Sequence, residues 1–485
     1  MVSKEYIGID FGTTNTAVVY IQDDELGRRV RLLGDAEGNP FSSIVAVARE
    51  GQTLQFGRAL RDKRTEMSET HQIFTSMKSY LGTDHEFIVG QHRYSAVDIT
   101  AEFLKHIKRT IVQQHGIDIR SASFSFPVDF SPEARHDLQE AAQRAGVETA
   151  ALVSESTAAY LANRAECTAF STVMVLDWGG GTLDISILKL HHTEVHEVAV
   201  SGFRVGGDDI DRVLAERIHA EIAGKSDVGA GVGFDNMSSM EKDQMIARCE
   251  QAKIYISDSD DDDDYHITLQ DYGIYGTKTK RLVRTQFDAI VEPIIEDKVL
   301  STIKDALIKA KLSTALIDAV IVVGGSSNLR VYEYAITNLF HHAKIIFPEK
   351  RQWSAAEGAA LMQIIGGNFT LNDDLGVKLS DDSVFSIFEK GKSKVGDTQN
   401  PITFSLTEDT QDAHFIFTDG SGKNKYKDMS VPTKGFYQEK LVLHAELGRD
   451  QIARIKVESK AMGESAIEQC EINQLPFFYD LKDLG

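Results

Sequence analysis

The sequence predicts an α/β fold of two duplicated lobes followed by a small all-β domain, and three observations carry that prediction. Up to about residue 370, short apolar strands such as residues 6–9 and 173–176 alternate with helical patterns, as in a sheet covered by helices. Two glycine-rich turns of the same plan, each placed after an apolar strand and an aspartate, stand about 167 residues apart. After Gly366 and Gly367 the apolar pattern changes to period two.

A length of 485 residues allows about three folding units at roughly 150 residues each, and ample core. A formal net charge of -21 argues against nucleic acid or an anionic membrane as principal partner. Cys167, Cys249 and Cys470 are odd in number, far apart and without metal-ligand spacing, so neither a disulfide framework nor a zinc site is expected. The opening MVSKEYIGID lacks a basic stretch followed by a long apolar one, and no apolar run approaches the ~20 residues of a membrane span. A cytoplasmic location is therefore expected.

In IGIDFGTTN an apolar strand runs into Asp10, and Gly12, Thr13, Thr14 and Asn15 follow. A tight hairpin there offers backbone N–H groups and two hydroxyls to an anion. A helix is marked by Ser131 as cap, Pro132 in the first turn, apolar Ala134, Leu138, Ala141 and Ala145, and Gly146 as its end. VMVLDWGGGTLD repeats the first plan, with Asp177 at a strand end, then Gly179, Gly180, Gly181, Thr182 and Asp184. Two such hairpins can face each other across one nucleotide.

GFRVGGDDID places Gly206 and Gly207 before an acidic helix start. AVIVVGGSSN ends a strand with Gly324 and Gly325, followed by Ser326 and Asn328, where a base or ribose could lie on bare backbone. Taken alone, either glycine pair is more often only a sharp strand-to-helix turn. None of the turns matches the Walker GxxxxGK[ST] or Rossmann GxGxxG patterns, so the phosphate chemistry is of another lineage. The acidic run 258–264 reads as a solvated hairpin edge before a β-like segment at 265–269, without the patterned spacing of a calcium loop.

Residues 369–379 are polar enough for a linker, yet carry three leucines that could dock on a partner lobe; both readings stand. Beyond them Leu441, Leu443, Ala445 and Leu447 alternate with polar residues, as do Ala453, Ile455 and Val457, and Gly420 and Gly422 mark a turn. The expected domains are residues 1–368, a linker at 369–379, and a reduced β-sandwich at 380–485.

The order and spacing of these turns resemble the DnaK-type, seventy-kilodalton heat-shock chaperone family of the actin and hexokinase superfamily, over residues 4–370 and more faintly over the β-unit. The resemblance implies an actin-like ATPase domain using ATP and Mg²⁺. In it Thr13 and Thr14 hold phosphates, and Asp10 and Asp177 order water around the metal. Lys78, in FTSMKSYLG, matches the phosphate-binding lysine; Glu155, in LVSESTAAYLAN, matches the carboxylate near the attacking water, and Thr182 and Asp184 complete that cluster. Glu250 and Lys253, with Ser257 a turn further on in RCEQAKIYIS, match the residues around ribose and adenine, and Pro127 and Arg135 match a proline switch.

The sequence departs from the family at Trp178 (usually aliphatic), Ser156 (proline), Asn328 (arginine) and Gln352 (acidic). The linker's aliphatic run is broken, and the sequence ends at Gly485 without a helical segment after the β-unit, so a lidless client module is expected. Implied partners are unfolded or client polypeptides, contacted by loop residues such as Phe415 and Phe477, with a J-domain co-chaperone and a nucleotide-exchange factor. Two other readings are kept: a nucleotide-gated scaffold with one dedicated protein partner, and a small-molecule kinase of the same superfamily.

Overall fold

Each of the two aspartate-bearing turns sits at the head of the same five-strand pattern. Around Lys4–Phe11 the order is Glu148–Ser154, Ser121–Phe126, Lys4–Phe11, Asn15–Asp24 and Gly27–Leu32. The first two strands run parallel to Lys4–Phe11 or to each other, and the hairpin strands run antiparallel. Around Thr172–Trp178 the order is Lys344–Ile346, Ala319–Val323, Thr172–Trp178, Leu183–His191 and Glu194–Phe203. Two sequential strands again lie on one side, and two parallel crossover strands on the other. The chain thus repeats one topology, as the paired turns predict.

The computed structural model describes residues 4–25, 27–50, 54–128, 130–225, 232–259, 264–366, 368–462, 466–473 and 475–481. It divides into two units, residues 1–189 with 197–364, and residues 190–196 with 365–485. The first unit is mixed α/β. Parallel crossovers require long connections, and helices such as Ala96–His115 and Pro132–Arg144 supply them. Ser131 Oγ accepts from the Ala134 N–H at 3.1 Å, and Gly146 follows at φ 71°. Leu138 and Ala141 bury against Ile9 and Phe124 in one core, while Trp178, Ile185, Leu214 and Tyr332 belong to a second. Ala319–Val323 is buried at every residue, as expected for a parallel strand covered on both faces.

The second unit is all-β. Val384–Phe388, Leu375–Lys378, Asp412–Thr418 and Lys425–Pro432 form one antiparallel sheet. Ile402–Ser405, Lys440–Leu447, Ala453–Ser459 and Ile467–Ile472 form another. The inward residues of both, among them Leu441, Leu443, Ile455, Phe417 and Val431, share one core. Phe477–Asp480 pairs with Asn368–Leu371 and with Glu194 and Val195.

Two expectations change here. Residues 369–379 include the strand Leu375–Lys378 and most of Asn368–Leu371, and Leu371 and Leu375 are buried in this unit's own core. The leucines that could have docked elsewhere serve the sandwich. Phe415 is only 3% exposed because the alternation in Asp412–Thr418 turns Ala413, Phe415 and Phe417 inward, so it is not a client contact. Phe477 is partly buried, its ring 6.5 Å from that of Phe369.

Of the acidic run, residues 260–263 lie outside the described residues. Asp258 ends the helix Ser239–Asp258, and Tyr265–Leu269 pairs with Lys278–Leu282. No helix among the described residues is long and apolar enough to cross a membrane.

Candidate active site

The two hairpins meet inside the first unit. Asp10 lies opposite Ser125 in register, and Asp177 opposite Val323 and Asp184. A Cβ added to Gly180 would stand 2.2 Å from Thr14 Oγ1, so only glycine lets the second turn come this close to the first. Thr14 Oγ1 in turn donates to Asp208 at 3.4 Å. The later glycine turns are stitched to the same place: Gly179 O accepts from Ser326 Oγ at 2.7 Å and from the Gly207 N–H at 3.2 Å.

The hairpins border a cleft of about 880 Å³, near the upper end of the ~300–1,000 Å³ usual for ligand pockets. Asp10, Lys78, Glu155, Asp177, Thr182 and Asp184 all line it. So do Gly12, Thr13, Thr14, Asn15, Gly179, Gly180, Gly181, Gly207, Gly324, Gly325, Ser326 and Asn328, and on the helix Ser239–Asp258 also Glu250, Lys253 and Ser257. Gly206 does not: a Cβ there would lie 2.2 Å from Gly180 O, so it packs against the Gly179–Gly181 turn instead of lining the cleft. Pro127 and Arg135 also stand outside the lining, with the Arg135 guanidinium 5.4 Å from the Phe126 ring centroid.

Acidic groups crowd the floor. Lys78 Nζ donates to Glu155 Oε1 at 2.5 Å. It is delivered by the short 3-10 turn Met77–Tyr80, capped by Ser76 at φ 57°, a left-handed conformation that costs a non-glycine residue roughly 1–2 kcal/mol. Burial disfavours the Lys78 ammonium, but Glu155, Asp10 and Asp184 outweigh it and raise its pKa. Burial raises Glu155 well above the usual carboxylate range; Lys78 opposes this, and Asp10, Asp177 and Asp184 add to it. Asp177 is pushed up to about 7 by burial and by Asp10 and Asp184. Four carboxylates thus share one ammonium, an excess of negative charge that a divalent cation would relieve. No group of three or more His, Cys, Asp or Glu side chains placed to ligate a metal directly occurs among the described residues.

Around the cleft, Lys253, Glu250, Ser257 and Asp10 meet partners that the sequence did not single out. Lys253 Nζ donates to Asp211 at 2.6 Å and to Gly207 O at 2.9 Å. Glu250 pairs with Arg61 at 2.6 Å, not with Lys253 three residues on. Ser257 Oγ donates to Lys253 O at 2.8 Å. Arg351, pinned to Ser327 O and Glu333, lies over the Phe347 ring at 4.7 Å and lines the cleft with Gln352 and Asn328. Ser125 Oγ donates to Asp10 at 2.7 Å. The departure at Trp178 is accommodated: the indole is fully buried and its N–H donates to Val205 O at 3.1 Å, just before the Gly206 turn. One signal was available, since Arg58, Arg61, Lys63 and Arg64 form a basic cluster in an acidic chain, and all four line the cleft.

Comparison with known proteins identifies the family of the chain. A family model described as "Hsp70 protein" matches residues 83–387. The chain is 30% identical over 370 residues to the chaperone protein DnaK of Thermosipho melanesiensis, covering 75% of this chain and 59% of that protein. It is also 30% identical over 343 residues to the chaperone protein DnaK of Thermosipho africanus, covering 70% and 55%. The chain therefore spans a little over half the length of these curated relatives. On the extent of the family match, together with these relatives, the chain belongs to the Hsp70 family.

Proposed function

We propose that the protein binds ATP with Mg²⁺ in this cleft, between lobes of actin type, and hydrolyses it to drive a chaperone cycle on client polypeptides held by the all-β unit. The observation that carries the reading is the cluster of Asp10, Glu155 and Asp177 around Lys78 on the floor between the two hairpins. Thr13, Thr14 and the turns of Gly12 and Gly179–Gly181 cradle the phosphates through hydroxyls and backbone N–H groups. Lys253, Glu250, Ser257 and the Gly324 turn face ribose and base. Asp10 and Asp177 would hold Mg²⁺ through its water, and the bound ion would supply charge neutralisation to the phosphates. Glu155 accepts a proton from the attacking water as its oxygen bonds to the γ-phosphorus, and the bond from that phosphorus to the β,γ-bridging oxygen breaks to release ADP and phosphate. Lys78 stabilises charge on the transferred group. Burial raises the pKa of this carboxyl, which makes its carboxylate form a stronger base. Pro127 and Arg135, outside the cleft lining, are proposed to pass on nucleotide state.

For clients, the inward Phe415 is replaced by the edge strands Val384–Phe388 and Ile402–Ser405, where Phe385 is 41% exposed and its ring stands 5.6 Å from that of Phe404. Such an edge can add an extended apolar peptide. A J-domain co-chaperone and an exchange factor are the proposed regulators. Steady-state ATP turnover with and without an unfolded peptide tests the reading. Turnover stimulated by peptide supports it, phosphorylation of an added sugar would make the protein a kinase, and binding without turnover would make it a nucleotide-gated scaffold.

A further inference from the structure

We propose that Glu197, which lies outside the nucleotide-contact set, is a positioning residue for hydrolysis that fixes the first turn of the helix bearing Glu155. The proposal rests on the reading above that Glu155 orients the attacking water.

That helix, Glu155–Ala162, is eight residues long and Glu155 is its first residue. A helix so short is marginal by itself, and its first turn is the part most prone to fray. Its N-cap is Ser154, whose Oγ accepts from the Thr157 N–H at 3.2 Å. Capping uses only a lone pair of that hydroxyl, and its proton goes to Glu197 Oε1. The Thr157 hydroxyl donates to the same carboxylate oxygen at 2.9 Å. Glu197 therefore grips both ends of the capping turn, from the neighbouring strand Glu194–Phe203. Ser156 Oγ, between them, donates to Ser186 Oγ at 2.7 Å on the strand Leu183–His191. All three hydroxyls of the turn are buried.

Among the described residues no cation pairs with Glu197, and its bonds come from these two hydroxyls. Burial raises its carboxyl pKa, against the pull of the two hydroxyls. An apolar side chain would fill this place without that cost. What the carboxylate adds is a fixed rotor at Ser154, one residue before Glu155. A carboxylate that must stay aligned with a water and a phosphorus atom loses rate when its backbone swings.

The test uses the full-length protein, with single-turnover ATP hydrolysis, titration of a fluorescent ATP analogue and thermal unfolding on each variant. Glu197→Leu should slow hydrolysis about tenfold or more, the loss expected of hydrogen bonds to a carboxylate, while analogue affinity changes less than about threefold. Glu197→Gln keeps a carbonyl acceptor and should recover most of the rate. Ser154→Ala should slow hydrolysis as well, and adding Glu197→Leu to it should cost less than the product of the two single losses, because both act through one bond. Hydrolysis at the wild-type rate in Glu197→Leu, or rate and affinity lost together without rescue by glutamine, would overturn the proposal. If the leucine variant does not fold, Ser154→Ala decides: an unchanged rate overturns the proposal, and a slowed rate with retained affinity supports it. A wild-type protein without turnover would sink the hydrolytic reading and this proposal together, whereas an active wild type with an unaffected leucine variant sinks this proposal alone.

Discussion

Arg61→Ala should release nucleotide faster, by an amount the structure allows to be worked out. Arg61 lies beside Leu60, which packs with Ile44 and Ala46 next to the first sheet, and Glu250 sits on a helix of the second core. Their 2.6 Å pair joins two parts of the cleft lining, with Asp208 a further 3.8 Å partner of Arg61. The side chains of Arg61 and Glu250 are 16% and 21% exposed, so the pair is less screened than the surface pairs that contribute ~0.2–1 kcal/mol. Hydrogen bonds to charged groups reach ~1.5–3 kcal/mol, and some solvent access remains, so about 1–2 kcal/mol is reasonable here. If the pair must part before nucleotide leaves, its removal accelerates release roughly 5- to 30-fold. Stopped-flow displacement of a fluorescent ADP reads this directly, and Arg61→Lys should fall between alanine and wild type. A release rate within twofold of wild type in Arg61→Ala would show that the pair does not hold the cleft shut.

Asp10→Asn combined with Asp177→Asn should abolish Mg²⁺-dependent turnover; an unchanged kcat in the double variant would remove both from the metal's shell. Burial pushes the Asp211 carboxyl up to about 7, against the pull of Lys253, so the folded protein holds a proton there that the unfolded chain has released above about pH 4. Its contribution to stability therefore falls as pH rises from about 4 to 7, and Asp211→Asn should raise the melting temperature more at pH 8 than at pH 5; an equal effect at both would contradict that placement. Phe385→Ala should weaken binding of a labelled apolar peptide several-fold, while Phe415→Ala, which empties a core position, should cost about 3–5 kcal/mol of stability; the reverse pattern would restore Phe415 as the client contact.

The parts of the site legible in the sequence are those written locally. Asp10 and Asp177 end apolar strands and are followed at once by the glycines and threonines of their turns, so the chemistry and the turn geometry share one short window. The helix after Ser131 and the alternation from Leu441 to Val457 are local in the same sense, and both appear with the expected inward faces. What was hidden depends on partners far along the chain: Arg61 with Glu250, Lys253 with Asp211, and Ser154 with Glu197. A charged residue on a helix or strand carries no mark of which distant group it will meet. Phe415 shows another limit, since in DAHFIFT period two establishes alternation but not which set of residues faces the core. The stretch after Phe369 looked like a connector because Asn372, Asp373 and Asp374 dominate it, yet they only turn the chain between two strands whose leucines complete the sandwich.

The most direct measurement is paired isothermal titration and single-turnover hydrolysis on Glu155→Gln. The amide keeps the shape and can still accept a hydrogen bond from Lys78, but it cannot take a proton from water, an interaction that matters mainly in the transition state. Hydrolysis should fall by about 10²-fold or more with ATP affinity held within about threefold. An affinity loss that accounts for the whole rate loss, or hydrolysis at the wild-type rate, would contradict a cleft in which Glu155 activates the attacking water.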